Sequence, residues 1–143
     1  MAFTGSVIPT SFMLEVLQAV HNFNGAHTFK IALYTSTATL DASTTVYSAT
    51  NEVTGTGYVA GGATLTLTAA AASGRTIIID FGDSSWTVST ITARGALIYN
   101  STAGNKAVAV LDFGSNKTSA ASTFTVQFPT PDVNNAILRQ SSI

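Results

Sequence analysis

The chain of 143 residues has no cysteine, and its charged residues make up only 9% of the total. Without cysteine there is no disulfide framework, no thiolate zinc site and no cysteine nucleophile. A typical soluble domain carries about 25% charged residues, so this surface depends on other polar groups. The net charge of −1 gives no electrostatic footprint for nucleic acid. So little charge repulsion also favours self-association, and we expect a homo-oligomer, either a dimer or a trimer.

Long apolar runs are missing as well. None reaches the roughly 18–20 residues that a bilayer span requires, so we expect no membrane partner. The first residues, MAFTGS, lack the basic segment of a signal peptide. One domain of ordinary size fits this length, since domains run to about 100–200 residues.

Hydroxyl side chains supply the polarity that charges do not, with 23 Thr and 15 Ser. Threonine favours strands because its branched Cβ packs well on a pleated surface. The sequence therefore predicts a mainly β fold, a β-sandwich or jelly-roll-like single domain over residues 9–143. Residues 1–8 are predicted to form an extended N-terminal arm, and residues 36–62 a long surface loop. The predicted strands cover residues 29–34, 64–68, 76–81, 86–92, 94–99, 107–113 and 124–128, with a further edge strand at 136–139.

One N-terminal α-helix is predicted at about residues 11–23. Thr10 or Ser11, following Pro9, is the expected N-cap. Its polar residues, at positions 11, 15, 18 and 22, form one narrow stripe, and the rest of its surface is apolar. A surface helix needs only one apolar stripe, so we expect this helix to be buried on more than one side, by its own sheet, by a neighbouring subunit or by both.

Catalytic and metal-binding patterns are weak. His21 and His27 are the only histidines, and Glu15 lies six residues before His21, an unhelpful spacing on a helix for a shared metal. We expect His21 to cover apolar surface and His27 to be a solvated loop residue. The block at residues 81–84, FGDS, is similar to the nucleophile block of GDS-type esterases, but no histidine follows it to activate the serine. We therefore predict no enzyme activity, no cofactor and no metal site.

Aromatic residues leave a carbohydrate-binding reading open, because aromatic faces stack on the apolar faces of sugars. The competing interpretation is that these side chains pack in the core of the sheets. The residues concerned are Tyr34, Tyr47, Tyr58, Trp86 and Tyr99.

Four segments carry a resemblance to a family of small virion proteins of tailed bacteriophages. They are residues 29–36 (FKIALYTS), 94–100 (RGALIYN), 107–114 (AVAVLDFG) and 124–129 (FTVQFP). Within that family, the chain most resembles capsid decoration, or cement, proteins. The resemblance implies a protein that is made in the cytoplasm of the bacterial host and placed on the outside of the virion capsid. It also implies the major capsid protein as a partner, whose neighbouring subunits such proteins clamp together.

The residues that we predict to form the interface lie in the arm and the helix, with core packing as the competing account for each. They are Phe3, Ile8, Phe12, Leu14 and Leu17. Under this reading, deletion of residues 1–8 weakens particle binding and leaves the domain folded. Two rival functions are a tail or baseplate component and a carbohydrate-binding adhesion module.

Overall fold

The computed structural model describes residues 3–142 and is mainly β, with one short helix near the N-terminus, as predicted. Its elements, in chain order, are α1 (Thr10–Leu17), β1 (Phe29–Tyr34), β2 (Ala63–Thr64), β3 (Leu67–Ser73), β4 (Thr76–Phe81), β5 (Ser84–Asn100), β6 (Lys106–Val126) and β7 (Leu138–Ser141). A four-stranded antiparallel sheet has the order β2-β1-β5-β6, and a three-stranded one has the order β3-β4-β7.

Strands β5 and β6 form one long hairpin where the sequence predicted four separate strands. The segments predicted at 86–92 and 94–99 are continuous within β5, and those at 107–113 and 124–128 lie largely in β6. The pairing shifts register at four places along the hairpin. In β6, Gly114 and Ala121 have φ values of +76° and +47°. These bulges let the strands bend without ending, so the polar stretch between the predicted strands is part of the ladder.

The larger core cluster contains residues from both sheets and from the helix. Phe29 of β1 packs against Phe81 at the end of β4, with ring centroids 5.6 Å apart. Trp86 packs against Phe124 across the β5–β6 hairpin at 6.2 Å. A smaller cluster on the other side of the sheet surrounds Tyr34 and Tyr99. Together the two clusters bury both faces of β1 and of the inner half of the hairpin, which is the half nearest the β5–β6 connection.

The segment before the helix is docked on its own domain. Val7 pairs antiparallel with Val110 of β6 through two backbone hydrogen bonds of 3.0 and 2.9 Å. Phe3 is buried in the smaller cluster, against Gly95 of β5. A Cβ atom at Gly95 would lie 2.5 Å from the Phe3 ring, so the glycine provides the space that the ring fills. The first two residues of the predicted arm lie outside the described residues.

The helix ends at Leu17, six residues before the predicted end at residue 23. Ala19 adopts a left-handed conformation with φ of 58°. The Ala19 and Val20 amides then donate to the carbonyl oxygens of Val16 and Glu15, at 3.2 and 3.0 Å, which is the Schellman termination. Because glycine usually takes this position, an alanine there gave no stop signal in the sequence.

The start of the helix also differs from the prediction. Pro9 is the N-cap residue, and no side chain caps the first turn. Thr10 is already helical, and the buried Ser11 hydroxyl has no hydrogen-bond partner among the described residues. Proline has a backbone φ suited to the start of a helix, so the chain enters α1 without a side-chain cap.

Candidate interaction surface

Helix α1 presents apolar side chains to solvent. Four of its eight residues are exposed and apolar, with exposed fractions of 54% for Met13, 57% for Leu14, 36% for Val16 and 81% for Leu17. We call these four residues the helix surface. Single exposed apolar residues are ordinary, whereas a group of them on one element marks an interaction site. The helix is thus buried on one side within the chain, and its other side is uncovered.

The buried side of α1 carries Phe12 and Glu15. The Glu15 carboxylate accepts hydrogen bonds from Lys106 Nζ at 2.7 Å and from His21 Nε2 at 2.9 Å. Burial acts to raise the pKa of Glu15, but the hydrogen bonds and charges of Lys106 and His21 outweigh it and hold that pKa below its usual range. A buried carboxylate with these partners stays ionised. The ion pair with Lys106 therefore fixes the helix to strand β6.

His21 and His27 share one amide group. The Asn100 Nδ2 amide lies 3.1 Å from His21 Nδ1 and 2.9 Å from His27 Nδ1, and its two hydrogens serve both rings. His21 therefore accepts at Nδ1 and donates from Nε2 to Glu15. Burial lowers the pKa of His21 despite the neighbouring carboxylate, so the ring is neutral at pH 7. Hydrogen bonds thus connect Lys106 to Glu15, Glu15 to His21, and His21 through Asn100 to His27, in one continuous network.

This network corrects one expectation about the histidines and adds to the other. His21 packs against the Phe12 ring at 4.9 Å, in line with the prediction that it covers apolar surface, and it is also hydrogen-bonded at both ring nitrogens. His27 is half-buried and bonded to Asn100, whereas a solvated loop residue was predicted. The early end of α1 brings His21 back beside Glu15, which a continuous helix would have placed on another face.

The predicted interface residues divide between the core and the surface. Phe3 and Phe12 are buried, and Ile8 is half-buried against the larger core cluster. Leu14 and Leu17 are exposed on α1. For the first three, core packing within the chain is what the structure displays. For Leu14 and Leu17 an interface role stays a prediction.

Sequence reasoning did not single out Met13 and Val16, which complete the helix surface. Both belong to the apolar residues that surround the predicted helix. Their exposure depends on which side of the helix faces the sheet, and the buried side carries Phe12 and Glu15, whose partner Lys106 lies 91 positions away. No pattern within the helix sequence indicates which side faces the sheet.

The five aromatic residues of the carbohydrate-binding reading do not form an exposed platform. Tyr34, Trp86 and Tyr99 are buried, and Tyr47 and Tyr58 are half-buried. Tyr47 stacks on Tyr99 with ring centroids 4.7 Å apart.

Two of these aromatic residues, Tyr47 and Tyr58, bind a buried carboxylate. The hydroxyls of Tyr47 and Tyr58 donate to Glu52 at 2.7 and 2.6 Å, and the Gly61 amide donates to it at 2.8 Å. The Leu33 amide of β1 donates to the Tyr58 hydroxyl at 2.9 Å, and the Tyr99 hydroxyl of β5 donates to the Gly61 carbonyl oxygen at 2.7 Å, so the cluster ties the loop at residues 36–62 to the sheet.

Within residues 3–142, no three His, Asp or Glu side chains are grouped closely enough to hold a metal ion. None of the helices in this part of the chain is long and apolar enough to cross a membrane. In the esterase-like block, Ser84 is buried in β5, and Asp83 accepts a hydrogen bond from the Phe128 amide at 2.8 Å. Asp83 therefore has a structural partner.

Comparisons with protein-family models, with curated proteins and with solved structures gave no match to this chain.

Proposed function

We propose that this chain is a non-enzymatic structural protein of a tailed-phage virion, a decoration protein that binds the outside of the capsid. The observation that carries the proposal is the helix surface, since four apolar side chains on one anchored helix suit a permanent docking site. The segments that resemble the phage family lie in β1, in the inner half of the β5–β6 hairpin and at the end of β6. A jelly-roll-like sandwich of the two sheets belongs to the same proposal, and the core cluster shared by both sheets supports it.

The mechanism is passive reinforcement of the shell. The helix surface docks where neighbouring subunits of the major capsid protein meet, a position that exists only in the assembled lattice. Binding the assembled state and not the separated subunits stabilises the shell by mass action. Each fully buried Leu or Met side chain contributes about 1.5–3 kcal/mol, so a few such residues in many copies supply substantial reinforcement.

Rigid presentation of the helix serves this role. The Lys106–Glu15 ion pair and the Glu15–His21 hydrogen bond hold α1 on strand β6 before any partner arrives. A pre-ordered site loses less conformational entropy on binding than a flexible one. The hydroxyl-rich and charge-poor remainder of the surface can hydrogen-bond at a multi-subunit junction without burying unpaired charges.

Of the rival functions, a tail or baseplate position would use the same surfaces in far fewer copies. The carbohydrate-binding function needs exposed aromatic rings, and of the five aromatic residues that suggested it, three are buried and two are half-buried.

The first test is the copy number of the chain in purified particles, measured by quantitative mass spectrometry. A copy number comparable to that of the major capsid protein supports the decoration role. A few rings' worth of copies moves the protein to the tail, and absence from the particles overturns the virion proposal.

The second test uses the double substitution Leu14→Ser with Leu17→Ser, and measures binding to particles that lack the protein. We expect the variant to fold and to lose binding. The matched control is the double substitution Val59→Ser with Val88→Ser. These two valines lie outside the helix and are 75% and 70% exposed. Equal binding by both double variants would contradict the proposed docking site.

A further inference from the structure

Strand β3 is an edge strand whose outer side is unpaired within residues 3–142. Its sequence is LTAAAAS, and residues 70–73 are exposed. We propose that two copies of this chain pair their β3 strands antiparallel about a two-fold axis at Ala71, which joins two three-stranded sheets into one of six strands. This inference goes beyond the proposed function and rests on a different surface from the helix.

The other sheet edges carry features that oppose pairing, and β3 does not. Strand β6 has an exposed lysine, Lys117, and bulges at Gly114 and Ala121. Strand β7 has four residues, one of them Arg139, and β2 has only two residues. Charges, bulges and short length are the usual protections of an edge strand. Between residues 69 and 73, β3 has no charge, no proline and no irregularity in its pairing with β4.

The turn that follows β3 sets the register of the proposed pairing. Ser73 and Thr76 are paired across a two-residue loop, in which Gly74 has φ of +61°, as in a type II′ hairpin. The pair next to such a turn exchanges both backbone hydrogen bonds, and alternate residues point their amides away from the partner strand. Ala70 and Ala72 therefore direct their N–H and C=O groups toward the open edge.

A second copy of the same strand satisfies these groups. With Ala71 opposite its own copy, Ala70 of each chain faces Ala72 of the other, so the two pairs form four backbone hydrogen bonds. Alanine side chains on both faces let the strands approach without steric conflict. In this register the two Arg75 residues lie in turns at opposite ends of the paired segment, so the pairing brings no like charges together.

A cysteine-scanning experiment tests the register, because the chain has no cysteine of its own. In Ala71→Cys, the two cysteines face each other as a non-hydrogen-bonded pair with Cα atoms about 4.5 Å apart, which suits a disulfide. In the control Ala72→Cys, the two cysteines lie diagonally, roughly 7–8 Å apart, beyond disulfide reach. We expect a covalent dimer of Ala71→Cys under mild oxidation and roughly tenfold less of the control. Equal cross-linking of both variants, or none of either, overturns the pairing.

Sedimentation equilibrium of the full chain tests the association itself. We expect the unmodified chain to approach twice its mass of 14.7 kDa as concentration rises. Ala72→Pro removes an outward N–H that the β4 ladder does not use, so the variant should fold and stay monomeric. A monomeric unmodified chain, or a folded Ala72→Pro variant that still dimerises, overturns the proposal. The Leu14→Ser/Leu17→Ser variant should still dimerise, which separates this test from that of particle binding.

Discussion

The two sides of helix α1 should differ sharply in their contribution to folding stability. Phe12 faces inward, with its ring 4.9 Å from the His21 ring and 6.2 Å from that of Phe23. Leu17 is 81% exposed. We predict that Phe12→Ala destabilises the chain strongly, and that Leu17→Ala changes its stability hardly at all. Alanine is the best helix former, so neither loss can come from a weakened helix.

The expected magnitudes follow from burial. Replacement of a buried phenylalanine by alanine costs about 3–5 kcal/mol, and Phe12 retains 7% exposure, which favours the lower part of that range. For a domain of this size, 1 kcal/mol shifts Tm by about 2–4 °C, so Phe12→Ala should melt roughly 6–12 °C earlier. Surface substitutions such as Leu17→Ala usually stay within about 0.5 kcal/mol.

Urea unfolding at one protein concentration measures both variants. The single tryptophan, Trp86, is buried in the larger core cluster and reports unfolding by fluorescence. The reasoning is refuted if Leu17→Ala lowers the unfolding free energy as much as Phe12→Ala does. Unchanged stability of Phe12→Ala would refute it equally, because the inward face of the helix would then contribute no packing.

Three further predictions concern buried polar groups and a glycine. In the folded chain the pKa of His21 lies below its ordinary value of 6.5. The unfolded chain therefore binds more protons, and stability should fall as the pH drops below about 6.5. Tm should be lower at pH 5.5 than at pH 7.5, and a higher Tm at pH 5.5 would contradict this. The lowered pKa of Glu15 extends the loss below pH 4.5. Glu52→Gln replaces one acceptor oxygen with an NH2 donor, so the Tyr47 hydroxyl must reverse its hydrogen bond, and the charge-assisted bonds from Tyr58 and Gly61 become neutral; the change should cost about 1–3 kcal/mol in urea unfolding, and a smaller loss would show that these hydrogen bonds contribute little to stability. Gly62→Ala places a Cβ 1.8 Å from a β1 carbonyl oxygen at φ of +70°, whereas Gly104→Ala at +67° meets no atom within 4 Å; the first should melt well below the second, and equal Tm values would contradict the clash.

Composition and alternation were enough to predict a mainly β protein with one N-terminal helix. The strands predicted at residues 29–34 and 76–81, the N-terminal helix and the long loop at residues 36–62 are present, whereas the strand predicted at 64–68 is interrupted at residues 65–66, between β2 and β3. These features depend on local preferences, which residues within one segment carry.

The orientation of the helix was not predictable from its sequence. Its polar stripe suggests that Glu15 faces water, but the partner that draws this side chain inward, Lys106, is distant in sequence. The ion pair and the packing of Phe12 lie on the same side of the helix, so polar Glu15 is buried while apolar Leu14 and Leu17 lie on the exposed side. The helix end was missed for a different reason, because Ala19 occupies a position that usually carries glycine.

The continuity of β5 and β6 also lay outside the reach of local patterns. The polar, serine-rich residues between the predicted strands read as loops. They remain in the ladder because the pairing absorbs its irregularities in bulges such as that at Gly114.

The long β5–β6 hairpin has a consequence for the order of folding. Its strands meet across a five-residue connection at 101–105, so their pairing needs little loop closure. By contrast, the Ser101 side chain bonds a residue 73 positions away beside β1, and Ser6 in the arm bonds Asp112 across 106 positions. Local contacts form early and distant ones late. We therefore expect substitutions within the hairpin to slow refolding, whereas Phe3→Ala in the arm mainly accelerates unfolding. The segment that closes the structure last would then be the first to leave it.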